Sequence, residues 1–212
     1  NRNKVLQNTE NKPISKVRAE LEPYTLMLAK EAEYIGKMRF DYVCRLDSEV
    51  KNIFEKMSAG CEKVELSYSE IYSADEYIKK FENNFDKEFS AGVTLYGVHK
   101  DDILININDF EARSFASQGQ QRSIALAMKL SEGAITRLET SEEPVYLFDD
   151  VLSELDETRR DSLLLFDTDK QVIISTCEVE ALKKINAQRQ IRVENGKYTV
   201  TALDEGEAEK GE

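Results

Sequence analysis

Histidine is almost absent from this chain: His99 is the only one in 212 residues. That excludes any site needing two imidazole ligands. Cysteine is scarce as well. Cys44, Cys61 and Cys177 are scattered, odd in number and form no CxxC pair. A zinc ribbon is therefore excluded, and a reducing, cytosolic compartment fits. No run of about 18 apolar residues occurs, so no membrane-spanning helix is predicted. Neither an apolar leader nor a Met opens the sequence, and Asn1 reads as a fragment boundary. Basic residues are in deficit: 29 Lys and Arg face 41 Asp and Glu, a net charge of −12. A field of that sign repels nucleic acid, so any DNA contact needs a local patch or another part of a longer protein. The remaining composition, 41% apolar and 33% charged, is that of an ordinary globular chain. Its length suits one domain, or one with an extension.

Along the first 60 residues apolar side chains recur at Ile14, Val17, Leu21, Tyr24, Leu28, Ile35, Met38, Tyr42, Leu46, Val50, Ile53 and Met57. Steps of three and four paint one stripe down a helix. Pro23 should break that run and open a second helix over about 23–58, roughly 54 Å long, stopped by Gly60. Such a helix suits an antiparallel arm or, equally, a long core helix with a solvated face. Val64 to Tyr68 alternates as a strand. Residues 75–89 return to helix, with Phe81, Phe85 and Phe89 as a core row rather than a base-stacking platform. A second strand covers 103–107, and Asn108-Asp109 turns the chain. A helix then runs from the loop 115–119 to about Leu138. The strand Val145-Tyr146-Leu147-Phe148 follows, then a helix at about 157–165, the strand 172–175 and a helix at about 179–185. A hairpin turned by Asn195-Gly196 closes the pattern. The last stretch, from Asp204, is acidic and predicted to be disordered. Alternating helices and strands predict an α/β fold with a parallel sheet. No internal repeat is present.

Three short motifs carry candidate chemistry. Val145–Phe148 followed by Asp149-Asp150 describes a buried strand whose C-terminal end carries two acids, at the edge where α/β sheets bind nucleotides. One acid there could hold Mg²⁺ and the other could prepare a water; a strand ending in a polar turn has the same look. Ser117-Gln118-Gly119-Gln120 opens a helix, with Ser117 and Gln120 spaced as a capping box. Its exposed N–H groups, beside the side-chain-free Gly119, could accept an anion; a well-capped helix needs no such role. Val151-Leu152-Ser153-Glu154-Leu155-Asp156 follows the acids and resembles the D-loop of ABC-type ATPases; an ordinary helix start capped by Ser153 has the same look. Capped helix first, acid-ended strand second, is the order of the signature loop and Walker B strand in ABC-type ATPases.

The motif strings resemble the C-terminal part of the RecF family of bacterial recombination mediators, with its ABC-type, SMC-like ATPase head. They are Thr94-Leu95-Tyr96-Gly97-Val98-His99-Lys100-Asp101-Asp102, then Arg113 to Arg122, then Leu147 to Asp156. Similarity covers about residues 1–200. Val98 and Lys100 depart from the family's Gly-Pro-His-Arg-Asp-Asp; a lysine keeps the charge and loses the bidentate fork of arginine. No GxxxxGK[ST] is present, so the P-loop lobe is expected upstream of Asn1.

The resemblance implies a C-terminal half of an ATPase head with a parallel sheet and flanking helices, plus a mostly helical antiparallel arm. The implied boundaries are 1–93 for the arm, 94–203 for the lobe and 204–212 for the tail. It implies ATP and Mg²⁺ as cofactors of the full-length protein. Asp149 would hold the metal and Asp150 act as the catalytic acid–base. Ser117, Gln118, Gly119 and Gln120 would reach the nucleotide of a second subunit. Ser153 and Asp156 would form the D-loop between two sites. Partners would be double-stranded or gapped DNA, an ATP-dependent homodimer and recombination mediator proteins, with no membrane. The expected setting is cytoplasmic DNA replication, recombination, repair and the SOS response, in recombinase loading at gaps. This half alone should be inactive, and the parent a slow ATPase. An SMC-like ATPase of a defence or nuclease-linked system, or a nucleotide-independent interaction module, are the competing readings. His99, a lone histidine beside a strand, reads as an ordinary packed or surface residue; its place in the family motif implies instead that it joins arm and head or touches DNA.

Overall fold

The computed structural model describes residues 1–9, 12–154, 160, 170–177 and 187–202. The chain divides into two compact units. The first contains Asn1–Ile53 and Lys63–Ala116, and the second contains Phe54–Glu62 and the chain from Ser117 onward. The boundary expected at residues 93 and 94 falls inside the first unit, because strands before and after it pair in one sheet.

In the first unit a short helix, α1 (Arg2–Gln7), precedes α2 (Ile14–Met57), 44 residues long and so about 66 Å at 1.5 Å per residue. Pro23 lies inside α2, against the expected break. Both Pro23 and Ala19, whose carbonyl loses its amide partner, face solvent. Water can satisfy that carbonyl, so the helix continues. The buried stripe also differs from the expected one. Ile14, Tyr24 and Met38 are exposed, whereas Ala29 and Ala32 are buried beside Tyr77 and Phe81. Small residues are needed there because the opposing helix presents rings. Beyond Met57, Ala59 and Gly60 take positive φ, and the Gly60 N–H returns to the Glu55 carbonyl at 2.8 Å, which ends the helix as expected.

The expected helix 75–89 is two helices, α3 (Ala74–Asn83) and α4 (Phe85–Ala91). Asn84 separates them. Its side-chain amide donates to the Lys80 carbonyl at 2.9 Å, competing with the helical ladder, and its Oδ1 accepts from the Tyr96 hydroxyl at 3.0 Å. The break sends the phenylalanines to different places. Phe81 packs with Ala29, Ala32 and Tyr77; Phe85, with Phe89 against it, packs with Leu6, Val17 and Leu21. All three serve the core, as read from the sequence. Arg2 anchors α1 through a buried ion pair to Glu88 at 2.5 Å and a bond to Thr94 Oγ1 at 2.8 Å.

An antiparallel sheet in the order β1 (Val64–Tyr68), β2 (Ile103–Ile107), β3 (Phe110–Glu111) completes the unit, with Leu66 opposite Ile105. Asn108 and Asp109 both have positive φ, the conformation a two-residue hairpin turn requires. A single turn, α5 (Ala112–Phe115), follows.

The second unit is built on α6 (Gln118–Thr140) and the parallel pair β4 (Tyr146–Asp149) and β5 (Val172–Ser175). Ile124, Ala127, Leu130 and Ile135 form the buried side of α6. Ser123 and Ser131, fully buried among them, return their hydroxyls to the Gly119 and Ala127 carbonyls. Gly133 lies where α6 meets Tyr146: a Cβ there would stand 2.3 Å from the Tyr146 hydroxyl. The hairpin β6 (Arg189–Glu194) and β7 (Lys197–Ala202) turns at Asn195-Gly196, both with positive φ, as expected. The predicted helices at about 157–165 and 179–185 and the acidic tail lie outside the described residues, apart from Arg160, which is helical. All three cysteines are free and exposed. Among the described residues no helix is long and apolar enough to cross a membrane.

Candidate functional site

Ser117 caps α6 as its spacing to Gln120 predicts. Ser117 Oγ accepts the Gln120 N–H at 3.2 Å, and Gln120 Oε1 accepts the Ser117 N–H at 2.8 Å. The other end of the Gln120 amide donates to Glu62 Oε1 at 2.6 Å. Gln120 is thus engaged at both ends, while Ser117 and Gln118 are exposed. No acidic residue occupies the first turn of α6. The helix N-terminus therefore keeps its partial positive charge without an anion of its own first turn.

The second element is the end of β4. Tyr146 and Phe148 are buried, and Asp149 and Asp150 emerge exposed after them. Asp149 lies opposite Ser175 in the parallel register. The Ser175 hydroxyl donates to Asp149 Oδ1. The Asp150 N–H reaches the Ser175 carbonyl at 3.1 Å and its Oγ at 3.2 Å. Asp150 takes a φ of 51°, which turns the chain out of the strand. Aspartate tolerates that left-handed conformation better than most residues. Ser175 joins both acids; the sequence places it at the end of the strand 172–175 without showing any link to them. The sequence shows only that each apolar run ends in a polar residue, Asp149 and Ser175; it is the parallel register that sets the two side by side.

Ser153 lies in the 3₁₀ turn Val151–Glu154 that follows the acids. Asp156, the other residue of the predicted D-loop, lies outside the described residues. Among the described residues no group of three acidic, histidine or cysteine side chains could hold a metal by itself. Two exposed carboxylates still suit Mg²⁺, which takes one or two protein carboxylates and draws its other ligands from phosphate and water. A phosphate cradle is not among this chain's motifs. His99 sits in a 3₁₀ turn of the first unit, Val98–Lys100, with Nε2 3.2 Å from the Thr94 carbonyl. Its neighbour Gly97 has a φ of 130°, and a Cβ there would meet the His99 ring at 3.2 Å.

With its capped helix followed by an acid-ended strand in a parallel sheet, the chain has the fold of the C-terminal half of an ABC-type ATPase head. A solved SMC head bound to the C-terminal winged-helix domain of ScpA has this fold, with a TM-score of 0.50 at 17% identity over 96% of this chain and 54% of that one. The chain belongs to the RecF family, whose C-terminal part it matches. It is 37% identical over 186 residues to the DNA replication and repair protein RecF of Clostridium kluyveri, covering 84% of this chain and 51% of that protein. RecF of Clostridioides difficile is 35% identical over 208 residues, covering 92% and 54%. A solved structure of the recombination mediator RecF with ATP aligns with a TM-score of 0.77 at 28% identity, over 95% of this chain and 55% of that one. The chain thus spans about half the length of the curated relatives it matches. No protein-family profile matches it.

Proposed function

We propose that this chain supplies half of a composite ATP site in a DNA repair protein. On this reading a P-loop from the other half of the longer protein would hold the nucleotide. Asp149, oriented by Ser175, would hold Mg²⁺, which when bound would neutralise phosphate charge. Asp150 would position and deprotonate the attacking water. The exposed N-terminus of α6, with Ser117, Gln118 and Gly119, would meet the γ-phosphate held by a second subunit. Gln120 would fix that loop from behind rather than touch the nucleotide. Ser153 and Asp156 would lie at the crossing between two sites. Closure on ATP would then form a homodimer that engages duplex or gapped DNA in the cytoplasm and, with mediator proteins, helps load recombinase.

The observation that carries this reading is the pairing of Asp149 and Asp150 through one serine at the end of a parallel strand. A strand that merely ended in a polar turn would not need Ser175 to fix both acids. The test uses a protein of the relatives' full length. Asp150→Asn should keep Mg-ATP binding and lower single-turnover hydrolysis about 10²–10⁴-fold, the usual size of a lost general base. Asp149→Asn should weaken nucleotide binding in Mg²⁺ specifically. Native hydrolysis in Asp150→Asn would overturn the assignment.

A further inference from the structure

The motif around Gly97–Asp102 takes no part in the proposed ATP chemistry, yet it walls a cavity of about 300 Å³ in the first unit. Tyr72, Tyr96 and Leu95 give that cavity apolar sides. Its acids are already engaged. Asp101 accepts from the Tyr68 hydroxyl and has Arg39 at 3.8 Å; Glu70 accepts from the Tyr72 hydroxyl. A donor is not: Ser69 Oγ is buried with no hydrogen-bond partner. Tyr77 is only 3% exposed, and its ring contacts Tyr72 and Phe81. Burial, with Asp101 nearby, pushes that phenol up to about 12, so it remains an O–H donor at every working pH. Lys80 lies over the Tyr72 ring at 3.2 Å, and neither Lys80 nor Lys100 forms an ion pair among the described residues. A buried donor without an acceptor, as Ser69 Oγ is here, is uncommon in native proteins and asks for a ligand.

We propose that this cavity binds a carboxylate carried on an aromatic or apolar stem. Ser69 and Tyr77 would donate to the carboxylate oxygens, Lys80 and Lys100 would supply the countercharge, and the stem would lie between Tyr72, Tyr96 and Leu95. A carboxylate accepts several hydrogen bonds at once, which matches this set of donors. A phosphate dianion fits less well, because Asp101 and Glu70 stand on the same walls. Such a group could come from a free organic acid or from an acidic segment of a partner protein.

The test is an NMR titration of this chain, labelled on tyrosine, with four probes: N-acetyl-phenylalaninate, its neutral amide, acetyl-Asp-Phe-amide and phenyl phosphate. One of the two carboxylates should saturate at millimolar concentration, shifting the rings of Tyr72, Tyr77 and Tyr96. Preference for the dipeptide points to a protein segment, and preference for the free acid points to a small molecule or a chain terminus. The neutral amide should bind about tenfold more weakly or worse, the size of one charge-assisted bond. Lys80→Gln should weaken the carboxylate by a similar factor, and Tyr77→Phe by about two- to tenfold. The site is overturned if neither carboxylate saturates, if the amide binds equally well, if both variants bind as the native chain does, or if phenyl phosphate binds tightest.

Discussion

Ser175 donates its hydroxyl to Asp149 across the parallel pair of β4 and β5, and its oxygen also accepts the backbone N–H of Asp150. One side chain thereby sets the direction of both acids. Removing it in the full-length protein, by Ser175→Ala, should lower ATP hydrolysis about tenfold, as losses of groups that orient metal ligands do. Ser175→Thr keeps the hydroxyl and should restore most of the rate. Equal single-turnover rates for native and Ser175→Ala would show that Asp149 needs no such support.

This chain by itself should bind ATP too weakly to measure at micromolar concentration. A single helix N-terminus contributes about 0.3–1 kcal/mol toward an anion, whereas a micromolar dissociation constant needs about 8 kcal/mol. Calorimetry with Mg-ATP checks this, and a micromolar constant would refute it.

Substitution at the α6 cap separates folding from assembly. Ser117→Ala should cost about 0.5–2 kcal/mol of stability through the lost cap. Ser117→Arg loses the same cap and places a bulky cation where the second subunit's phosphate is proposed to sit. In the full-length protein sedimentation with ATP should then report folded monomers for Ser117→Arg and dimers for Ser117→Ala.

The buried pair Arg2 and Glu88 should be costly to break from one side. Glu88 is fully buried and accepts from both Arg2 and the Leu95 N–H, the latter at 2.8 Å. Glu88→Leu would leave the guanidinium uncompensated, at about 3–5 kcal/mol. Replacing both residues by apolar ones should recover part of that loss. Urea midpoints of the single and double variants give the answer.

The N-terminus of α3 should weaken in acid. Glu76 is held below its ordinary value of 4.5 chiefly by the Ser73 N–H, with help from the Ser73 hydroxyl. Glu33 is held below the same value chiefly by Lys37, and then by the Ala74 N–H, which it accepts at 3.0 Å. Both values fall on folding, so the stabilisation is complete above pH 4.5 and is lost as pH drops through the lower folded values. A Glu33→Gln, Glu76→Gln double variant should therefore be less stable than the native chain at pH 7 and converge on it at more acid pH. A gap independent of pH would contradict the ionic role of the two acids.

Much of the fold could be read from the residues because local rules decided it. Ser117 and Gln120 formed the box their spacing predicts, and Asn108-Asp109 and Asn195-Gly196 turned as such pairs do. The expected break at Pro23 and the expected continuous helix over 75–89 fail for one shared reason, at Pro23 and at Asn84. Each is judged by whether its backbone or side chain can find another partner, and that is set by tertiary surroundings: exposure to solvent at Ala19, Tyr96 at Asn84. The alanines of α2 escaped notice because a stripe counted in large side chains cannot show where rings on another helix need room. The two acids were legible as a strand end. Ser175 was not, because its place beside them depends on strand register, which one sequence does not display.

Gly133 makes α6 a lever with its fulcrum against Tyr146. A methyl group at that point cannot be absorbed by a flexible tip, since what it meets is the end of a rigid ring. The helix must tilt or slide, and the displacement grows along its length toward Ser117, about 24 Å away at 1.5 Å per residue. A mild change at a buried joint would thus be amplified into misalignment at an exposed loop. Substitutions at position 133 are accordingly a way to detune the capped loop by degrees, alanine least and larger residues more, without touching any residue of the loop itself.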